Sequence, residues 1–122
     1  MKESNRTRRI AELLKRELAV LIPQSVRDPH VGRVTLTYAD VSPDMTNAKI
    51  YFTLLGDATR AKKTEKALNH AAGFLRHQLH ERVVLRSVPQ LRFHYDESVE
   101  RGARLTSLIN KAIAQDTSKD KK

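Results

Sequence analysis

Two blocks of cationic side chains are the residues in this sequence best suited to chemistry. Arg6, Arg8, Arg9, Lys15 and Arg16 fall within the first 27 residues, and Lys62, Lys63, Lys66, Arg76, Arg82 and Arg86 within residues 61–86. Each of these stretches carries a net charge of +4, whereas residues 28–60 come to −1 and residues 87–122 to +2, within a total of +9. Guanidinium and ammonium groups gathered in this way suit the phosphates of a polyanion. Every phosphate they neutralise releases condensed counterions and steepens the salt dependence of binding. These eleven residues are the candidate phosphate contacts.

Catalysis has no comparable foothold. The absence of Cys removes disulfides, thiolate nucleophiles and Cys-based zinc sites together. Gly32, Gly56, Gly73 and Gly102 stand singly, so no glycine-rich phosphate loop is present. His77 and His80 lie three apart on one helical segment, but no third ligand falls at a supporting spacing, and neither a metal nor another cofactor is expected. Asp40, Asp44, Asp57 and Asp96 sit where turns and helix starts account for them, Asp96 as the cap of a final helix. Of six aromatic residues, Phe52, Phe93 and Tyr38 fall on the expected core faces of strands. Tyr51 alone among the strand aromatics falls on the other face, so base stacking is not the expected mode.

The elements that must hold the cations follow from periodicity. Ile10, Leu13, Leu14, Leu18 and Leu21 recur at helical spacing, with Arg8, Arg9, Lys15 and Arg16 opposite and Pro23 as the expected stop. Glu17 intrudes on the apolar arc, at its edge or paired with a nearby Arg. Residues 33–41 and 48–55 alternate as two strands joined by the turn formers Ser42, Pro43, Asp44 and Asn47. From Lys62 to His80 the pattern is helical again, with Leu68, Ala71, Ala72, Leu75 and Leu79 on one face. Gly73 interrupts it, where Gly costs about 1 kcal/mol relative to Ala and permits a kink or a close approach. Pro89 opens a third strand bearing Leu91, Phe93 and Tyr95 on one face. A last amphipathic helix is predicted from Ser98 to Ala114, followed by an entirely polar tail. With 122 residues the chain fits one α+β domain over residues 1–114, with a disordered polar tail at 115–122. No apolar run approaches the roughly 18 residues of a membrane span, and no small-molecule substrate is implied.

Four stretches, in order and spacing, carry a resemblance. They are residues 6–19 (RTRRIAELLKRELA), 41–51 (VSPDMTNAKIY), 71–76 (AAGFLR) and 89–96 (PQLRFHYD). Together they resemble the bacterial ribosome-binding factor A family over about Arg6 to Ile109. The resemblance implies a type II KH-like domain, ordered helix–strand–strand–helix–kink–helix–strand with an additional C-terminal helix. The usual Gly-x-x-Gly loop is replaced by an Ala-x-Gly kink that maps onto Ala71, Ala72 and Gly73. It further implies a non-catalytic, cytoplasmic, monomeric factor that binds the 30S small ribosomal subunit and its 16S rRNA. Such a factor assists late maturation and 5′-end processing and supports growth in the cold. Two other readings of the basic surface are a general single-stranded RNA-binding module and a protein-interaction domain for an acidic partner.

Overall fold

The computed structural model describes residues 5–27, 31, 33–54 and 58–98. Its elements are α1 (Asn5–Ser25), β1 (Val34–Val41), β2 (Asn47–Leu54), a 3₁₀ turn (Ala58–Arg60), α2 (Ala61–His70), α3 (Ala72–Arg82) and β3 (Gln90–Tyr95). The sheet runs β1-β2-β3, with β1 antiparallel and β3 parallel to β2. A parallel neighbour requires a crossover, and the α2–α3 segment provides it. This is the α+β, KH-like order expected from the sequence. The helix expected over Ser98 to Ala114 lies, beyond its first residue, outside the described residues, as does the polar segment 115–122.

The described helices pack on one side of the sheet, and a single core results. Leu14 and Leu18 of α1, Leu68 of α2 and Leu75 and Leu79 of α3 close over Ile50, Phe52 and Phe93, all with no exposed surface. Tyr95 completes the layer, its ring meeting Phe52 edge-on at 5.7 Å. Burial of such side chains is the main stabilising contribution, about 1.5–3 kcal/mol each.

The β1–β2 turn is locked by its own polar residues. Met45 N donates to Ser42 O at 2.8 Å, and Asp44 Oδ1 accepts from the Ser42 hydroxyl at 2.7 Å and the Thr46 hydroxyl at 2.8 Å. These bonds hold Asp44 below the usual carboxylate range, the Ser42 hydroxyl contributing most. They also hold Met45 at φ 61°, a left-handed conformation unusual for a side chain of its size.

Three expectations are corrected. Pro23 does not stop α1, which continues to Ser25 with Pro23 inside it. Near a C-terminus the lost donor costs one bond only, and Val26 N still donates to Ile22 O at 3.0 Å. The interruption of the second helical stretch falls at Ala71, within the Ala71, Ala72 and Gly73 stretch named for a kink but two residues before the Gly73 that the helical pattern singled out. Ala71 (φ −87°, ψ −1°) shares its N–H between Ala67 O and Leu68 O, both at 3.1 Å. Tyr38 is not in the core. The register of β1 shifts between Leu36 and Tyr38, so Thr37 is an extra residue that reverses the alternation beyond it. Leu36 stays inside, Ala39 and Val41 follow it, and Tyr38 turns outward, 51% exposed.

Candidate nucleic-acid interface

The candidate cations fall into distinct regions. Arg6 on α1 and Arg86 after α3 line a cleft of about 330 Å³ together with Ile10, Leu85 and the β1–β2 turn. Arg86 and Ser87 also line a second cleft of about 350 Å³ with Gly73, Arg76, His77 and His80. The two clefts adjoin at these shared residues, one bordered by the Pro43–Thr46 turn and the other by the start of α3. Gly73 lines the second, and a Cβ built there would meet nothing within 4 Å. Packing within the chain therefore does not require glycine at this position; its effect is to leave bare backbone at the cleft. Asp44 is the acidic residue lining the first cleft, and its hydrogen bonds keep it ionised.

Two cations of this side are partly committed to the fold. Arg76 Nε donates to Val88 O at 2.9 Å, anchoring the segment that leads into β3 and using one of five guanidinium donors. Arg82 Nε lies 2.9 Å from Glu17 Oε2, tying α3 to α1. This explains Glu17 in the apolar arc of α1: its partner is on the neighbouring helix. The pair is partly solvated, so it stabilises by no more than about 1 kcal/mol, but it neutralises Arg82 locally.

The remaining cations lie elsewhere. Lys15 and Arg16 line a separate, largely apolar groove of about 420 Å³ between α1 and the free edge of β1, shared with Glu12, Ala19 and Leu36. Arg8 and Arg9 are exposed on α1. Lys62, Lys63 and Lys66 are carried by α2, which packs on β3 at the opposite sheet edge; Lys62 and Lys63 are exposed and Lys66 is also exposed. The structure thus sets Arg86 beside Arg6 in one cleft and beside Arg76 in the other, and leaves the α2 lysines apart from Lys15 and Arg16.

Other polar residues serve the scaffold. Asn69 clamps the outer edge of β3, donating to Phe93 O at 2.9 Å and accepting from Phe93 N at 2.8 Å. Glu65 accepts from Tyr95 N at 2.8 Å. The outward backbone groups of an edge strand are thereby occupied by side chains of α2. Among the described residues no group of three His, Asp or Glu could hold a metal, and no helix is long and apolar enough to cross a membrane.

The residues that sequence reasoning missed are on the side of the sheet that no described helix covers. Tyr38, turned out by the bulge, lies 6.0 Å from Tyr51 between ring centroids, and Tyr51 lies 5.6 Å from His94. The one signal available was Tyr51, alone on that face until the bulge supplied a neighbour.

The family model of ribosome-binding factor A matches residues 6–109 of the chain. The chain belongs to the ribosome-binding factor A family. A ribosome-binding factor A of Chromohalobacter salexigens is 54% identical over 118 residues, covering 95% of this chain and 90% of that protein. The crystal structure of ribosome-binding factor A from Thermus thermophilus superposes with TM-score 0.63 at 27% identity, over 73% of this chain and 94% of that one. A Thermus thermophilus ribosome-binding factor A model, fitted into the cryo-EM map of a complex with the 30S subunit, gives TM-score 0.60 at 28% identity. It covers 71% of this chain and 91% of the other.

Proposed function

We propose that this protein is a non-catalytic assembly factor that binds the 30S ribosomal subunit through its 16S rRNA, acting as a cytoplasmic monomer. The observation that carries the reading is the pair of adjoining clefts that share Arg86, one lined by Arg6 and the other by Arg76 and the bare backbone of Gly73. The fit of a relative of the same family into a 30S complex supports the choice of partner. Phosphates of folded rRNA lie in these clefts, with Arg8, Arg9, Lys15, Arg16, Lys62, Lys63, Lys66 and Arg82 as further contacts on neighbouring surfaces. The kink at Ala71, Ala72 and Gly73 sets the direction of α3 beside them.

Mechanistically, the protein holds one conformation of a maturing RNA region. It need only bind that conformation better than the alternatives, because a ligand indifferent between two states shifts neither. Departure follows when the mature conformation weakens the contacts. Late maturation, 5′-end processing and growth in the cold are the processes such a clamp assists, since RNA misfolds persist longer at low temperature.

Sucrose-gradient sedimentation of an extract tests this. Comigration with free 30S and not with 70S particles is expected, and should be lost after nuclease treatment. A protein found only at the top of the gradient overturns the reading, and comigration with a partner that survives nuclease favours an acidic protein ligand.

A further inference from the structure

The side of the sheet that no described helix covers carries a row of aromatic rings crossing all three strands. Tyr38, Tyr51 and His94 occupy one row of the β1-β2-β3 register, and Asp40, Lys49 and Arg92 occupy the next. Successive rings are tilted by 42° and 32° rather than interlocked edge-to-face, and together they make a platform of rings across the three strands. Packing across strands accounts for Tyr51 and His94, which are half-buried. Tyr38 also meets Tyr51 across the strands, but its ring stands at the edge of the described sheet with half its surface in solvent.

We infer that this platform binds single-stranded RNA by stacking bases on Tyr38 and Tyr51, with Lys49 and Arg92 meeting the adjoining phosphates. Adjacent same-face rows are about 7 Å apart along a strand, within reach of a base and its own backbone phosphate. Charge favours this occupant: the exposed Lys49 and Arg92 outnumber Asp40 in the second row, and aromatic faces accept any base. The surface lies across the sheet from the arginine clefts, so it is a second contact. It is tested on isolated oligonucleotides and therefore stands or falls independently of 30S comigration.

Fluorescence polarisation of the full chain with labelled decaadenylate and decauridylate, at two salt concentrations, provides the test. Decaadenylate should bind more tightly, because adenine offers the larger stacking surface. Tyr38→Leu should weaken its binding about fivefold or more, in line with the measured worth of one stacked base, without changing the salt slope. Tyr38→Phe, which keeps the ring, should stay within about twofold of the unmodified protein. Replacing Lys49 and Arg92 together by Ala should flatten the salt dependence by up to about two phosphate contacts. Unchanged binding by Tyr38→Leu overturns the proposal, as does a loss in Tyr38→Phe equal to that in Tyr38→Leu. A Tyr38→Leu protein with lowered melting temperature but unaltered RNA binding also overturns it, and assigns the platform to packing against residues 99–122 of the chain itself.

Discussion

Ile50, Phe52 and Phe93 are sealed beneath three helices on one side of the sheet, while Tyr51, Lys49 and His94 stand one residue away on the same strands with no described helix above them. The covered side uses aromatic and aliphatic surface to hold the domain together. The other side leaves Tyr38 half in solvent and Tyr51 and His94 half-buried, so that its rings add less to stability. Adjacent residues of one strand therefore divide between a sealed core and a half-exposed surface. Phe52→Ala should cost about 3–5 kcal/mol, the loss of a buried ring with the cavity it leaves. Tyr51→Ala should cost only about 1 kcal/mol, the worth of cross-strand ring contacts. Urea unfolding of the two variants measures both. Similar losses would mean that the open face is packed as tightly as the core, and the contrast between the two faces would disappear.

The edges of the sheet divide along similar lines. The outer backbone groups of β3 are taken up by Asn69 and Glu65, whereas the outer edge of β1 borders the groove lined by Lys15 and Arg16. Asn69→Ala removes two hydrogen bonds and leaves Phe93 N–H and C=O without their partners. The expected cost is about 2 kcal/mol, with faster amide exchange at Phe93 while exchange in β2 at Ile50 is little changed.

Much of this is legible in the sequence. Alternation in β2 and β3 assigns Ile50, Phe52, Leu91 and Phe93 to the core, and the helical spacing of α1 places Leu14, Leu18 and Leu21 there. Alternation misplaces Tyr38 of β1 because a period of two cannot register an added residue. Thr37 carries no mark in the sequence, and the bulge exists because of how β1 pairs with β2. Propensity points to Gly73 for the helix break, yet it is Ala71 that departs from the ladder, so tertiary packing outweighs intrinsic preference. The cationic blocks are visible as charge, but their division is not. Whether Arg82 faces a phosphate or Glu17 depends on how α3 lies against α1, a distance of 65 residues along the chain.

That division is open to a finer test on the side of the two clefts. Arg86, which lines both clefts, should lower the salt slope of 30S binding by about one when replaced by Ala. Arg82→Ala should change the slope less, because Glu17 already offsets its charge, while lowering stability by at most about 1 kcal/mol. Glu17→Gln should release Arg82 and raise the slope slightly. Equal effects of Arg82→Ala and Arg86→Ala would mean that RNA outcompetes the ion pair for Arg82.

The smallest expected effect concerns the bulge that creates the contrast between the faces. Asp96 Oδ2 accepts from the Thr37 hydroxyl at 2.6 Å, and its Oδ1 accepts from the Ser98 hydroxyl at 2.5 Å and from Ser98 N at 2.9 Å. The Ser98 hydroxyl foremost, and the Thr37 hydroxyl after it, hold the Asp96 carboxyl below its ordinary range. A folded-state value below the unfolded one means that the charged form favours folding. The contribution is therefore complete above the ordinary carboxylate value of about 3.9, and is lost as pH falls through the depressed one. Asp96→Asn should thus be less stable than the unmodified protein at pH 7, by under about 1 kcal/mol at this solvated site. The gap should close in unfolding measurements below about pH 4. Because the Thr37 bond pins the extra residue of β1, the same substitution should loosen the Tyr38–Tyr51 contact and not the Phe52–Tyr95 contact. Ring chemical shifts that moved equally on both sides of the sheet would show that the bulge is held by the strands alone.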